Sequence, residues 1–127
     1  MQRILGRFGE AAYAAMRIVL AFIFMCHGLQ KLFGVLGGRV VPLASLAGVA
    51  GVIETVAGAL ILIGLLTSWA AFIASGEMAA AYFIQHAPRG GLPIQNGGEL
   101  AVTLCFAFLF IATRGGGAFS VDRVLRR

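Results

Sequence analysis

Charged residues are scarce in this chain of 127 residues: 12% are charged, whereas 60% are apolar. Soluble domains typically contain about 25% charged and about 45–50% apolar residues. So little charge excludes a water-exposed surface over most of the chain, and the composition predicts an integral membrane protein. The ten basic residues lie mostly near the chain ends and form no stripe with aromatic residues, so we expect a lipid bilayer, and no nucleic acid, as the partner.

Cysteine is also rare, and the positions of the two cysteines argue against a C-x-x-C site and against a disulfide framework. Cys26 and Cys105 lie inside separate apolar runs, without a C-x-x-C spacing or a disulfide framework. We interpret both as small packing residues, although they could touch if the first and last helices were neighbours.

A removable signal peptide is not expected either, because the first apolar run is long and contains Arg17.

Motifs for haem, flavin, nicotinamide and iron–sulfur cofactors are also missing. The two histidines, His27 and His86, would differ in membrane depth by roughly 8 Å, which disfavours haem ligation by both. No ligand pair has the spacing of a known metal motif, so no metal site is predicted. We therefore expect neither an evident cofactor nor a complete enzyme in this chain alone.

Four continuous apolar runs dominate the rest of the sequence. They cover about residues 13–33, 43–66, 68–87 and 97–113, each at or above the minimum of about 17 residues for crossing a bilayer core. The apolar residues follow one another without alternation, which indicates helices rather than barrel strands. The sequence thus predicts an all-α, integral membrane four-helix bundle that forms one domain over residues 1–127.

The second apolar run has a face of small residues, Gly51, Thr55 and Gly58. Small residues let helix backbones approach closely, so this face predicts a helix-packing seam. The same face could equally form a contact between two copies of the chain, and the sequence leaves a homo-oligomer open.

Lysine and arginine are distributed unevenly between the two ends of the predicted helices. Six lie on the side of the chain termini and three on the other side. The positive-inside rule therefore predicts cytoplasmic N- and C-termini in a multi-pass protein of the plasma or inner membrane. Apolar residues between the terminal arginines also predict short helices on the inner membrane surface.

Two acidic residues lie deep in the predicted spans. Glu54 and Glu77 are roughly 16 and roughly 15 Å from the outer ends of the second and third helices, from the rise per residue. The connection between these helices is too short to separate them, so they should pack antiparallel. The two carboxylates would then share a proton, which suits proton uptake beside a redox carrier or transport path. Alternatively, one or both of them stay protonated and hydrogen-bond across helices.

The first predicted helix has a polar stripe. Arg17, His27 and Lys31 fall within about 80° of one another around its axis. We expect this stripe to face protein, although Lys31 could simply extend to the outer surface. Arg17, a secondary candidate for the site, could extend to phosphates at the inner surface or reach toward Glu54 or Glu77.

The start of the fourth predicted helix contains the segment Asn96-Gly97-Gly98-Glu99. Its spacing predicts a capping box, in which the Asn96 side chain accepts a backbone N–H and the Glu99 side chain bonds back to the cap. Glu99 and Lys31 have similar outer depths, so these two side chains could also pair.

Several motifs occur in an order that extends over nearly the whole chain. They are Arg17 with His27-Gly28-x-x-Lys31-Leu32, Ile53-Glu54 with Gly58, Leu62-x-Gly64-Leu65-x-Thr67, Asn96-Gly97-Gly98-Glu99-Leu100, and Gly115-x-Gly117 with Ser120-x-Asp122. From residue 17 to residue 122, the chain resembles the DoxX family of small four-helix membrane proteins. The resemblance rests on the order and spacing of the motifs, since no single one is specific.

The resemblance implies kinship with the DoxD-type subunit of thiosulfate:quinone oxidoreductase and with membrane partners of soluble redox proteins. It implies no settled catalytic residue set, and a function transferred from a fold is an analogy. We therefore expect an oxidoreductase-associated subunit whose polar outer-half cavity handles a quinone head group or protons beside a soluble redox protein. The candidate cavity residues are His27, Lys31, Glu54, Glu77, Asn96 and Glu99.

Two other functions are compatible with the same sequence. One is a non-catalytic membrane adaptor or scaffold that recruits partners through its arginine-rich termini. The other is a transporter of protons or a small solute, which needs access from both membrane faces. The inner half offers only Arg17 for such a path.

Overall fold

The structure, a computed structural model, describes residues 1–126, in which every regular element is helical and no β-strand occurs. Arg127, which counts toward the predicted inner charge, lies outside the described residues. The α-helices are α1 (Gln2–Leu5), α2 (Gly9–Phe33), α3 (Leu46–Ile63), α4 (Thr67–Ala81), α5 (Pro93–Asn96), α6 (Glu99–Arg114) and α7 (Val121–Leu125). Short 3-10 turns occur at Gly6–Phe8 and Ala87–Arg89, and a π-helical turn at Tyr82–His86. The predicted all-α class is confirmed.

Two helical stretches are long and apolar enough to cross a membrane: the nearly continuous Gln2–Phe33 and helix α3. Large apolar side chains also point outward on all four longer helices. Examples are Phe22 on α2, Val56 on α3, Phe72 on α4 and Phe106 on α6, each more than half exposed. Apolar surface on so many sides is unusual for a soluble monomer and suits helices in contact with lipid.

Helix α3 begins and ends at residues whose chemistry explains its bounds. Ser45 precedes it, and its Oγ accepts a hydrogen bond from the Gly48 amide at 3.1 Å, as an N-cap residue does. Gly64 follows it in the left-handed conformation with φ 76°, which favours glycine. The helix is therefore shorter at both ends than the predicted span 43–66.

Helices α2 and α3 pack so closely that glycine is required between them. A Cβ atom on Gly28 would lie 2.6 Å from the Thr55 amide nitrogen and 2.8 Å from the Gly51 carbonyl oxygen. A Cβ on Gly58 would lie 2.9 Å from the Met25 Cβ. The predicted packing seam is thus confirmed, and α2 of the same chain covers it.

The start of α4 is capped by a carboxylate from the C-terminal segment. The Asp122 carboxylate accepts hydrogen bonds from the Leu66 amide at 2.8 Å and from the Thr67 amide at 2.9 Å. The Thr67 hydroxyl donates to the same carboxylate at 2.7 Å. The cap therefore comes from the C-terminal segment, 55 residues away from Thr67, which local spacing does not reveal.

Arg17 is buried and reaches neither Glu54 nor Glu77, contrary to one of the two predictions for it. Its guanidinium donates to the carbonyl oxygens of Ile61, Leu62 and Phe119, the last two at 2.7 and 2.6 Å. With 1% of Arg17 exposed, the other prediction, extension to inner phosphates, also fails. The reason is that the last carbonyls of a helix lack partners within the helix, and a charged donor satisfies them well.

Aromatic side chains join α2 to α6. Phe24 and Phe108 are fully buried, with ring centroids 4.8 Å apart at 63°. Nearer the chain ends, the Tyr13 hydroxyl donates to the Gly115 carbonyl at 2.6 Å. Together with the packing of α3 on α4 and of α4 on α6, these contacts close the interior around an apolar centre.

The close contact of α2 with α3 makes Gly28→Ala destabilising. The added methyl group must displace backbone atoms, and overpacking of this kind costs about 1–3 kcal/mol. The matched control is Gly76→Ala on α4, where an added Cβ meets nothing within 4 Å. Unfolding by sodium dodecyl sulfate in mixed micelles should show a loss for Gly28→Ala and none for Gly76→Ala. Equal effects of the two substitutions would contradict the close packing.

Protonation of Asp122 should make the stability of the protein depend on pH under acidic conditions. Partial burial acts to raise the pKa of Asp122, but hydrogen bonds from Thr67 and Leu66, and the charge of Arg126, outweigh it and hold the pKa below the usual 3.8. The stabilisation is therefore fully present above about pH 4 and is lost as the pH falls through the lowered pKa.

The measurement is the unfolding free energy of wild type and Asp122→Ala across pH 3–7. At neutral pH the loss of the cap should cost about 1 kcal/mol, and the difference should shrink below pH 4. Asp122→Asn keeps hydrogen-bonding capacity and should lose the acid dependence. A difference that grows as the pH falls would contradict the assigned role.

Candidate functional site

A buried ion pair joins α2 to α3 near the end of the helices opposite the chain termini. The Lys31 ammonium lies 2.6 Å from one Glu54 carboxylate oxygen and 2.8 Å from the other. Glu54 is 2% exposed, and the Lys31 side chain is 29% exposed. The glycine seam makes this pairing possible, since a Cβ on Gly51 would lie 3.0 Å from the Lys31 Cβ. A carboxylate buried this deeply needs such a partner to stay ionised.

The second deep acid, Glu77 on α4, faces the same interior space. Its Oε2 atom is buried and has no hydrogen-bond partner among the described residues. Glu54 and Glu77 both line a cavity of about 290 Å³ together with Lys31 and His27. The structure thus brings both carboxylates to one cavity, with Glu54 held by Lys31 and one oxygen of Glu77 left available.

Two further polar side chains of this cavity, Gln85 and His86, were not among the candidates from the sequence. Both belong to the π-helical turn that follows α4. One extra residue per turn shifts the direction of the side chains, and such turns are frequent at functional sites. Pro88 cannot donate a backbone hydrogen bond, so it indicates that regular helix ends nearby, but it does not reveal the π-helical turn.

The rest of the cavity wall is apolar. Phe24, Met78, Leu100 and Leu104 provide most of it. A few polar groups that converge in an apolar space are typical of sites for small organic molecules. The fully buried Phe24 lies next to Phe108, so the cavity ends against the apolar centre of the protein.

Asn96 and Glu99 lie outside the cavity lining. The predicted capping box does not form, because the N-cap residue of α6 is Gly98 and no side chain caps this helix. Asn96 does accept a hydrogen bond from the Gly98 amide at 2.9 Å, and its amide group donates to the Tyr82 hydroxyl at 3.1 Å and to the Gly90 carbonyl at 3.0 Å. Glu99 is exposed, and Lys31 pairs with Glu54 instead.

A lateral groove of about 220 Å³ lies between α3 and α4 and continues the cavity outward. It shares Glu77, Ala81 and Gln85 with the cavity. Its remaining walls are apolar, with Leu46, Val49, Ile53, Ile73 and Ile84 among them. The groove therefore adjoins the polar site on a side of the helices that carries exposed apolar residues.

The site offers organic functional groups rather than a metal centre. Within residues 1–126, no three side chains of His, Cys, Asp or Glu are grouped as they would be to hold a metal ion. Cys26 and Cys105 are both free thiols, and the Ser75 hydroxyl donates to the Cys105 carbonyl at 2.8 Å. Lys31, Glu54, Glu77 and His27 are thus the groups available for binding and proton transfer.

These features define a class of protein: a helical, membrane-associated protein with a buried ion pair in a small cavity. The family model for DoxX matches residues 12–87, and the chain belongs to the DoxX family. The family suggests a relation to redox systems. An uncharacterized protein of Haemophilus influenzae is 44% identical over 116 residues, which cover 86% of this chain and 87% of that protein. No solved structure matches the chain.

The Lys31–Glu54 pair should show strong coupling in a double-mutant cycle. Lys31→Met leaves the Glu54 carboxylate buried without a partner, which costs about 3–5 kcal/mol at fully buried sites. Because Lys31 is 29% exposed, we expect about 2 kcal/mol. Adding Glu54→Gln should restore most of this loss, since the unpaired charge is then gone. The measurement is the unfolding free energy in mixed micelles, and additive effects of the two substitutions would contradict the pairing.

Proposed function

We propose that this protein is a membrane subunit of a redox system that binds the head group of a lipid-soluble quinone between α2, α3 and α4. A soluble redox protein would perform the electron chemistry. One observation supports this function most: a buried Lys31–Glu54 pair and an unpartnered oxygen of Glu77 face one small cavity that continues into an apolar groove.

In this proposal, the four longer helices cross the plasma or inner membrane as a bundle, with both termini on the cytoplasmic side. The outward apolar side chains on all four helices support it. Helix α4 and its π-helical turn together extend over residues 67–86, which is roughly 30 Å of helix. Helix α6 is a separate span with a length of roughly 24 Å. The excess of lysine and arginine on the side of the termini sets the orientation.

The size and chemistry of the site fit an amphiphile. A cavity of about 290 Å³ is at the lower limit for small-molecule sites, so it suits a head group rather than a whole lipid-soluble molecule. The apolar groove beside Glu77 provides room for a hydrocarbon chain. The wall residues Phe24, Met78 and Leu104 suit the faces of a planar ring.

The polar residues have distinct roles in this proposal. A quinone, when bound, supplies two-electron chemistry coupled to proton uptake. The Lys31 ammonium is a hydrogen-bond donor for a carbonyl oxygen, and Glu54 holds that ammonium in place. Glu77, with one oxygen not engaged in a hydrogen bond, accepts or releases a proton at the cavity wall.

The alternatives have less support. A transporter needs a continuous path, but the fully buried rings of Phe24 and Phe108 meet edge to face where the cavity ends, and Arg17 is bound by three carbonyl oxygens farther on. An adaptor that acts through its termini gives no role to the cavity that Glu54 and Glu77 line. The blocked path favours a site that opens on one side only.

The test is the affinity of the purified protein for a short-chain quinone, measured by native mass spectrometry in detergent micelles. Loss of a hydrogen bond from a charged donor costs about 1.5–3 kcal/mol, so Lys31→Met should weaken binding about 10-fold or more. The matched control is Arg39→Met, which removes an exposed cation near the same end of the helices. Wild-type affinity in Lys31→Met, or no quinone binding by the wild type, would overturn the proposal.

A further inference from the structure

A second, larger cavity lies at the opposite end of the helices, where both chain termini are found. Its volume is about 630 Å³, and it lies between the start of α4, the end of α6 and α7. Three arginines and three hydroxyl groups line it: Arg114, Arg123, Arg126, Ser68, Thr113 and Ser120. The quinone site proposed above shares none of these residues.

The cavity is positively charged in spite of the one acidic residue in its wall. Both carboxylate oxygens of Asp122 accept hydrogen bonds at the start of α4, from the Leu66 and Thr67 amides and from the Thr67 hydroxyl. The Asp122 charge is therefore already engaged there. This engagement also means that the start of α4 is not itself the binding element. The charge of the cavity comes from its arginines.

The three arginines differ in how firmly they are held. Arg114 forms an ion pair with Glu10, and its guanidinium lies 4.0 Å from the centroid of the Tyr13 ring. Arg123 and Arg126 are exposed and form no ion pair with acidic side chains of residues 1–126. Arg114 is therefore held in position, whereas the charges of Arg123 and Arg126 are not neutralised by an acidic side chain of residues 1–126.

From this arrangement we infer that the cavity binds the phosphate group of an anionic phospholipid. Guanidinium groups match the oxygens of a phosphate in pairs, and the Ser68 hydroxyl in the cavity wall can donate to the same oxygens. The Thr113 and Ser120 hydroxyls already donate to the carbonyl oxygens of Phe110 and Gly117, at 2.7 and 2.8 Å. A phosphate in the cavity would connect α7 to the start of α4 and to the end of α6. The inference is independent of the quinone proposal.

The surroundings of the cavity point to a lipid rather than a free phosphate. Trp69 follows the lining residue Ser68 and is 73% exposed. Phe119, Val124 and Leu125 flank the arginines of the C-terminal segment and are each more than 60% exposed. Tryptophan and short amphipathic helices of this kind lie at the boundary between headgroups and acyl chains. The phosphate oxygens would then meet the arginines while the acyl chains meet these apolar side chains.

The experiment is native mass spectrometry of the full chain in micelles that contain equal amounts of phosphatidylglycerol and phosphatidylcholine. The wild type should retain phosphatidylglycerol in preference to phosphatidylcholine. Arg123→Gln combined with Arg126→Gln should lower the affinity for phosphatidylglycerol about 30-fold, on the order of fivefold for each arginine. Both side chains are exposed, so the variant should fold normally.

The matched control is Arg3→Gln combined with Arg7→Gln, which removes two exposed charges near the same chain end but outside the cavity. It should change the affinity less than twofold. Equal losses in the two variants would overturn the site, because attraction would then follow total charge alone. Inorganic phosphate at millimolar concentration provides the second comparison. If it binds the lipid-free protein and displaces phosphatidylglycerol, the phosphate comes from solution and the assignment to a lipid is wrong.

Discussion

The close approach of α2 to α3 is the constraint on which the rest of the structure depends. Gly28, Gly51 and Gly58 leave no room for side chains between the two backbones. Because the backbones are this close, the Lys31 ammonium reaches both oxygens of Glu54 in the interior. The ion pair then forms one wall of the cavity, and α4 adds Glu77 opposite. Without the seam, Glu54 would be a buried charge without a partner, which would destabilise the fold.

The two ends of the helices differ in chemistry, and this difference separates the two proposed binding sites. Toward Lys31 the interior has a cavity with an unpartnered carboxylate oxygen. Toward the chain termini, the terminal nitrogens of Arg17 bind three carbonyl oxygens, and Asp122 binds the start of α4. At the surface of that end, Arg123 and Arg126 form no ion pair with acidic side chains of residues 1–126. An interior ligand is therefore expected at the first end and a surface ligand at the second.

The sequence was sufficient for features that follow from composition and from local spacing. Helices, the small-residue seam and the inward direction of Glu54 all follow from apolar runs and from the position of glycines. Arg17 was assigned wrongly because depth alone does not give the rotation of a helix, and its partners lie at the end of α3 and in the C-terminal segment. The cap from Asp122 was missed because it comes from a distant part of the chain. Gln85 was missed because a π-helical turn leaves no mark in the apolar pattern.

The central claim is that the cavity beside Lys31 and Glu54 holds the head group of a membrane-soluble quinone. Photo-crosslinking with a photoreactive short-chain quinone, followed by mapping of the labelled residues by mass spectrometry, tests it most directly. The account predicts labels at cavity residues such as Met78 and Leu104, which disappear when an unlabelled quinone competes. Labels confined to outward-facing residues such as Phe72 and Phe106, and unaffected by competition, would contradict it.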